Sequence, residues 1–251
     1  MEIGLNGKVA IVTGGGSGIG EATCLLFAKE GAKVVIGDIN VENGNAVLEK
    51  IKAAGGDAIV VKADSSSPED NKKMVDEAIN NFGGLHIAVN NAGIGGPIAS
   101  VADYPLDAWQ KVIDINLSGV FYGMKYQIPA MINSGGGSVV NISSILGTVG
   151  TKNSPAYVAA KHGVVGLTKA AALEYAEQGV RVNSVGPGYI NTPLVRNTLD
   201  EAALNALISL HPIGRLGEAE EVAEVILWLA SDRASFATGG YYPVAGGYLA
   251  Q

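Results

Sequence analysis

Residues 9–20 read VAIVTGGGSGIG, and the ten residues after them read EATCLLFAKE. The first five are apolar or β-branched and short enough for one buried strand. The glycines that follow permit a tight turn, and 19–30 then carries apolar residues at helical spacing. A strand that runs through a glycine turn straight into a helix opens a parallel α/β unit. The same alternation continues outward, with strand patterns at 34–37, 58–61, 87–89, 138–142, 180–185 and 241–244. Amphipathic stretches fill the intervals at 41–54, 68–82, 106–132, 156–178 and 218–231. Right-handed crossovers place such helices on both faces, so the expected fold is α/β, a doubly wound parallel sheet of about seven strands. Its binding crevice lies at the carboxyl ends of the strands.

No Pro/Ser-rich linker divides the chain, so 1–251 reads as one dinucleotide-binding and catalytic domain. The extended insertion is 191–217, bounded by Pro193 and Pro212 and rich in leucine. It reads either as a small helical lid over an apolar substrate or as an ordinary surface helix.

Composition narrows the function. With 251 residues and 47% hydrophobic content the chain can bury a large core, and a net charge of -7 offers no basic surface for nucleic acid or anionic lipid. No apolar run approaches membrane-spanning length and the start lacks a signal-peptide pattern, so a cytoplasmic protein is expected. Cys24, the single cysteine, sits among helix-packing residues. His86, His162 and His211 are dispersed without companions at metal-ligand spacing. Tyr104 and Trp109 read as packing residues of the long helical stretch.

Two groups of residues carry chemistry. In the first, Gly14, Ser17, Gly18, Ile19 and Gly20 form a G-x-x-x-G-x-G loop between strand and helix, where backbone amides and the helix N-terminus suit a pyrophosphate. Asp38 ends the second strand, and an acidic side chain there accepts from both ribose hydroxyls and repels a 2′-phosphate. Position 17 is Ser and position 39 is Ile, so neither offers an arginine to pair with that phosphate; the expected cofactor is NAD (NADH). In the second group, Tyr157 and Lys161 share one helix face four residues apart, and Ser144 precedes the tyrosine by thirteen. An ammonium beside a phenol favours its ionised form, bringing a group that titrates near pH 10 toward useful proton transfer.

Together these residues resemble the short-chain dehydrogenase/reductase family over nearly the whole chain. The resemblance rests on Thr13 to Gly20, on Asn90-Asn91-Ala92-Gly93 after the fourth strand, and on Asn116. It rests equally on Ser144, Tyr157 and Lys161, and on Pro187-Gly188 after the sixth strand. It implies a single-domain Rossmann-type sheet, hydride transfer between nicotinamide and a carbonyl or alcohol, and a homotetramer. Asn91, Gly93, Pro187 and Gly188 then belong to the cofactor site. Asp64 is similar to the aspartate that bonds the adenine amino group, and Thr192 with the Ile190 backbone to the pair that holds the carboxamide. Tyr157 is implied as the proton donor or acceptor and Lys161 as its modulator and a ribose ligand. Ser144 is implied as the partner of the substrate oxygen, with Ser143 as its rival, and Asn116 as holder of a relay water.

Ile94, Gly96, Ile145, Leu146, Tyr189, Leu194, Val195 and Leu207 are the expected substrate positions, mostly apolar and without a cation for a carboxylate or phosphate. The expected substrate is a hydrophobic secondary alcohol or its ketone, and the partner is a small molecule rather than nucleic acid or membrane. Cyclic-diol, sugar and hydroxysteroid oxidation, 3-oxoacyl thioester reduction and a non-catalytic dinucleotide-sensing protein stay open. The tail resembles bacterial secondary-alcohol dehydrogenases and carbonyl reductases, some of which hold structural magnesium at the C-terminal carboxylate, here that of Gln251. Ala245 departs from the aspartate most relatives carry before the paired glycines.

Overall fold

The computed structural model describes residues 4–196 and 201–251. Its seven strands are β1 (Val9–Thr13), β2 (Lys33–Asp38), β3 (Asp57–Lys62), β4 (Ile87–Asn90), β5 (Gly137–Ile142), β6 (Val180–Pro187) and β7 (Tyr241–Val244). They form one parallel sheet in the order β3-β2-β1-β4-β5-β6-β7. The helices are α1 (Gly18–Lys29), α2 (Val41–Ala53), α3 (Pro68–Phe82), α4 (Leu106–Ile113), α5 (Gly119–Asn133), α6 (Pro155–Tyr175), α7 (Pro193–Arg196), α8 (Glu201–Ser209) and α9 (Ala219–Ala230).

Alternation along a strand sends neighbours to opposite faces, and the core divides accordingly. Ala10, Val12, Val34 and Ile36 pack with Phe27 of α1, Val47 and Ile51 of α2 and Ile226 of α9. Val9, Ile11 and Val35 pack on the other face with Met74 of α3, Met131 of α5 and Val164 of α6. All five residues of β1 are buried, as a central parallel strand covered on both faces requires. β7, with Pro243 inside it, lies at a sheet edge where a missing ladder donor is tolerated.

The helix starts follow local chemistry. The Asn40 side chain accepts from Asn43 N at 3.1 Å to cap α2, and Ser67 accepts from Asp70 N at 3.1 Å to cap α3, where Pro68 stands in the first turn. The amphipathic stretch 106–132 departs from the single helix its periodicity suggests: α4 ends at Ile113, Asp114–Ser118 form a π turn, and α5 resumes at Gly119. The physical reason lies in Asn116, whose side chain bonds a loop rather than packing as a core residue. Within 191–217 the structure places α7 and α8, while residues 197–200 and the Leu194 side chain lie outside the described residues. Among the described residues no helix is long and apolar enough to cross a membrane.

Candidate active site

The strand order reverses between β1 and β4, and a cleft of about 300 Å³ opens there at their carboxyl ends. Gly14, Ser17, Gly18 and Ile19 line one side, Asp38 and Asp64 one end, and Asn91, Gly93, Ile94 and Thr192 the remainder. Backbone compactness shapes the glycine loop. A Cβ on Gly20 would overlap the Gly14 carbonyl oxygen and stand 2.7 Å from Asn91 Nδ2. Gly14 itself adopts φ 62.

Asn91 spans the two strands, with its Nδ2 donating to the carbonyls of Thr13 at 2.9 Å and Gly14 at 3.2 Å, and its N–H to Thr13 Oγ1 at 2.9 Å. Its side chain therefore holds the loop, and its place at the cleft follows from that. Asp38 accepts from Gly16 N and from Asn40 N, each at 2.8 Å, which fixes the carboxylate at the cleft's end. Asp64 Oδ1 accepts from Ser66 N at 2.9 Å and Ser66 Oγ at 2.7 Å. Among the described residues lining the cleft none is basic. The tight glycine turn, the fixed ribose-end carboxylate and that absence of cations fit a dinucleotide without a 2′-phosphate.

The catalytic candidates meet the cleft at Gly93, where a Cβ would stand 3.2 Å from Asn116 Oδ1 and 3.7 Å from Lys161 Nζ. Asn116 is fully buried in the π turn. Its Oδ1 accepts from Ile94 N and its Nδ2 donates to Ile94 O, both at 2.8 Å. A π turn inserts one extra residue and re-aims a side chain, here so that the amide clamps the loop after β4. Lys161, only 3% exposed, donates from Nζ to Ile142 O at 2.8 Å and stands 5.5 Å from the centre of the Tyr157 ring.

Burial pushes the Lys161 ammonium down to about 8. Burial also raises the Tyr157 phenol above its usual range, against the lowering effect of a hydrogen bond with the Ser144 side chain, and Tyr189 adds to the rise. Pairing with Lys161 leads to the opposite expectation; here desolvation outweighs the Ser144 hydrogen bond. The two serines separate clearly. Ser143 donates its hydroxyl to Lys161 O at 2.9 Å, whereas Ser144 Oγ accepts from Leu146 N at 3.1 Å and directs its hydroxyl to the Tyr157 phenol.

The other candidates are spread around this centre. Ile145 and Leu146 form the short 3₁₀ turn after Ser144 and are buried there. A Cβ on Gly96, at φ 75, would overlap the Tyr104 hydroxyl. Tyr104 packs edge-on to Trp109 with centroids 6.5 Å apart. Pro187 ends β6; Gly188, Tyr189 and Ile190 line a second cavity of about 70 Å³, and Ile190 also bridges to Gly217. Val195 N donates to Thr192 O at 3.0 Å, and Leu207 is half-buried with its carbonyl bonded to His211. The side-chain amide of Gln251 donates to Leu210 O at 3.1 Å, tying the tail to the end of the 201–209 helix.

Sequence reading missed a buried polar network under the site. Asn90 Nδ2 donates to Asn141 Oδ1 at 2.9 Å and to Gln127 Oε1 at 3.1 Å, and Asn141 Nδ2 donates to Thr168 Oγ1 at 3.0 Å. The signal was present: an asparagine ends IAVN and another stands within GSVVNI, both apolar strands otherwise. Asn153, just before α6, was also missed; it adopts φ 62 and accepts from Ala99 N at 3.1 Å, joining the loop after β4 to the helix of Tyr157.

Comparison with known proteins agrees with this geometry. The family described as enoyl-(acyl carrier protein) reductase matches residues 14–249. Cyclohexanol dehydrogenase of Acinetobacter sp. (strain SE19) is 52% identical over 251 residues, which is 100% of this chain and 98% of that protein. A 2,5-dichloro-2,5-cyclohexadiene-1,4-diol dehydrogenase of Sphingobium indicum (strain DSM 16412 / CCM 7286 / MTCC 6364 / B90A) is 45% identical over 249 residues, covering 98% of each chain. Among solved structures, a short-chain type dehydrogenase/reductase from Mycobacterium marinum superposes with a TM-score of 0.95 at 35% identity, covering 100% of this chain and 98% of that one.

Proposed function

The chain belongs to the short-chain dehydrogenase/reductase family, and from that premise we propose that it moves a hydride between NAD(H) and an alicyclic secondary alcohol or its ketone. The observation that carries the reading is that Asn116 Oδ1 and Lys161 Nζ stand beside Gly93 of the cleft that Asp38 also lines, with the Tyr157 ring 5.5 Å from Lys161 Nζ and its phenol bonded to the Ser144 side chain. When bound, the nicotinamide supplies the hydride acceptor for alcohol oxidation and the donor for ketone reduction.

The remaining steps fall to side chains. Tyr157 takes the alcohol proton in oxidation and returns it to the carbonyl oxygen in reduction. Ser144, whose hydroxyl faces the Tyr157 phenol, turns its proton to the substrate oxygen when substrate enters beside them and stabilises the charge that develops there. Lys161, charged in a buried setting, stabilises the tyrosinate as it forms and reaches the ribose. Asn116 holds Ile94 and Gly93 in place beside Lys161 and supports a relay water. Asp38, fixed by Gly16 and Asn40, supports NAD over NADP.

The apolar character of Ile94, Ile145, Leu146 and Leu207 supports a hydrophobic ring, as do the substrates named for the two curated relatives. The description of the matching family favours a second reading, 3-oxoacyl thioester reduction. Against it stand Asp38, which disfavours NADPH, and a net charge of -7, which repels an acidic carrier. The fuller proposal includes a cytoplasmic homotetramer with 191–217 as a lid and structural magnesium at the Gln251 carboxylate. The fully exposed Phe236 and the largely exposed Leu173 of α6 support burial between copies.

The test is reduction of NAD and NADP by cyclohexanol, a cyclohexanediol and an acyclic secondary alcohol, with NADH and NADPH oxidation by a 3-oxoacyl thioester run alongside. Alicyclic turnover preferring NAD is expected, and Tyr157→Phe should lower it by about 10²-fold or more while NADH still binds. Activity confined to NADPH and the thioester sinks the proposal.

A further inference from the structure

His211 stands outside the chemistry described above, yet it occupies a junction of three segments. It is 3% exposed and follows α8 by two residues. Its Nδ1 lies 2.9 Å from the Leu207 carbonyl oxygen, in the last turn of that helix, and its Nε2 lies 3.2 Å from the Tyr189 backbone nitrogen. A carbonyl only accepts and an amide N–H only donates, so the ring carries its proton on Nδ1 and accepts at Nε2. The ring also packs edge-on to Tyr189, with centroids 5.8 Å apart, and against Tyr248 of the tail at 5.6 Å. A Cβ on Gly188 would stand 2.8 Å from Nε2, so the glycine there is what lets the imidazole lie on the chain.

The segment it holds is the one that enters the cleft. From Tyr189 the backbone runs through Ile190 to Thr192 and Pro193, both on the cleft wall. Main-chain bonds from Gly188 N to Val244 O, Gly217 N to Tyr189 O and Asn191 N to Gly217 O fix its other positions. The Tyr189 N–H alone among these is held by a side chain. Tyr189 is also near enough to Tyr157 to raise its phenol.

We infer that His211 is a specificity-determining positioning residue: by bonding Leu207 and Tyr189 at once, it makes the placement of the Tyr189 ring in the substrate crevice depend on the placement of α8. This rests on the reading of Tyr189 as a substrate wall. A histidine is suited because its two nitrogens face opposite ways with opposite hydrogen-bonding sense. Movement of α8 over a substrate therefore carries Tyr189 with it.

Side-chain isosteres separate the two arms. Gln places Oε1 where Nε2 stands and keeps the acceptor for Tyr189; Asn places Nδ2 where Nδ1 stands and keeps only the Leu207 arm; Phe keeps the packing and neither bond. In the full-length protein, His211→Asn and His211→Phe should raise KM for cyclohexanol about tenfold, while kcat and KM for NAD stay within about threefold. His211→Gln, which keeps the Tyr189 bond but loses Leu207, should raise the same KM about tenfold. Hydrogen exchange at the Tyr189 amide, read without substrate, should speed up about tenfold in the Asn and Phe variants and not in Gln. Should Phe fail to fold, Asn against Gln still decides. Equal exchange in Asn and Gln, or a wild-type KM for cyclohexanol in Gln, overturns the proposal, as does a joint rise of both KM values. A wild type inert toward cyclohexanol defeats the functional reading alone, because the exchange comparison still judges the His211 link.

Discussion

Replacing Lys161 by methionine should abolish turnover and make the stability difference between wild type and variant depend on pH in a way that isolates the buried ammonium. Lys161 is 3% exposed, its Nζ has the Ile142 carbonyl as hydrogen-bond partner, and burial lowers its pKa from 10.5 to about 8. In the unfolded chain the amine keeps a proton up to its ordinary pKa, so between the two values the unfolded state binds more protons and wild-type stability rises with pH. The penalty for charging the amine is fully present below pH 8 and fades as pH climbs toward the unfolded value. A displacement of that size amounts to about 3 kcal/mol at pH 7 and about 1 kcal/mol at pH 9.5, so wild type should gain about 2 kcal/mol relative to Lys161→Met over the interval. Methionine has similar length and no charge, and other titrations largely cancel in the difference. Urea unfolding of both proteins at equal concentration, followed by the fluorescence of Trp109 and Trp228, gives the comparison. A difference constant within about 0.5 kcal/mol from pH 7 to 9.5 would refute the argument that burial destabilises this charge.

Other outcomes follow from the cleft. Asp38→Asn removes the carboxylate charge from the cleft and keeps an acceptor for only one of Gly16 N and Asn40 N, and should raise the NADPH-to-NADH ratio of kcat/KM by about ten- to a hundredfold. An unchanged ratio in steady-state assays would remove Asp38 from cofactor choice. Gly20→Ala drives a methyl into the Gly14 carbonyl and should weaken NADH binding at least about tenfold by fluorescence titration, since the loop must open to admit it. Ser144→Ala should lower kcat about 10²-fold and Ser143→Ala should mainly lower the melting temperature, because Ser143 already donates to Lys161 O. Exhaustive chelation should loosen the tetramer in sedimentation if the tail holds magnesium; unchanged assembly and activity would dismiss that site.

Legibility from sequence followed the locality of the cause. β1, β7 and α3 fall at the residues their patterns suggest, because strand alternation, Pro68 and the left-handed Gly83 act within a few positions. The long stretch before α5 read as one helix because its apolar spacing is helical throughout. Nothing within 106–132 announces that Asn116 bonds Ile94, a partner 22 residues earlier in the chain. Spacing of thirteen to Tyr157 favours Ser144 over its neighbour, but nothing local shows that the Ser143 hydroxyl is taken by the Lys161 carbonyl, 18 residues away. His211 drew no attention because its partners, Tyr189 and Tyr248, lie in other segments.

The departures from local rules collect where the chemistry is. Asn116 interrupts a helix with a π turn, Lys161 is a buried ammonium bonded to a carbonyl, Asn153 holds a left-handed backbone, and asparagines stand in β4 and β5 where valine packs elsewhere. Each is unfavourable alone: a buried amide left unpaired costs about 1–3 kcal/mol and a non-glycine residue at positive φ about 1–3. Each is compensated by a bond that fixes something at the site. Asn116 fixes the loop after β4, and Asn153 ties that loop to the helix of Tyr157. The Asn90 and Asn141 pair ties β4 to β5, the two strands that deliver Gly93 and Ser144. The proposed catalysis by Tyr157, whose phenol stands above its usual range, needs that rigidity, because in it Ser144 and Lys161 must meet the proton in place rather than search for it. Stability yielded at Lys161 is therefore the condition for a preorganised site, and Lys161→Met should raise stability only by removing activity, whereas apolar replacements of Asn116 or Asn141 orphan Ile94, Asn90 and Thr168 and should lower stability as well.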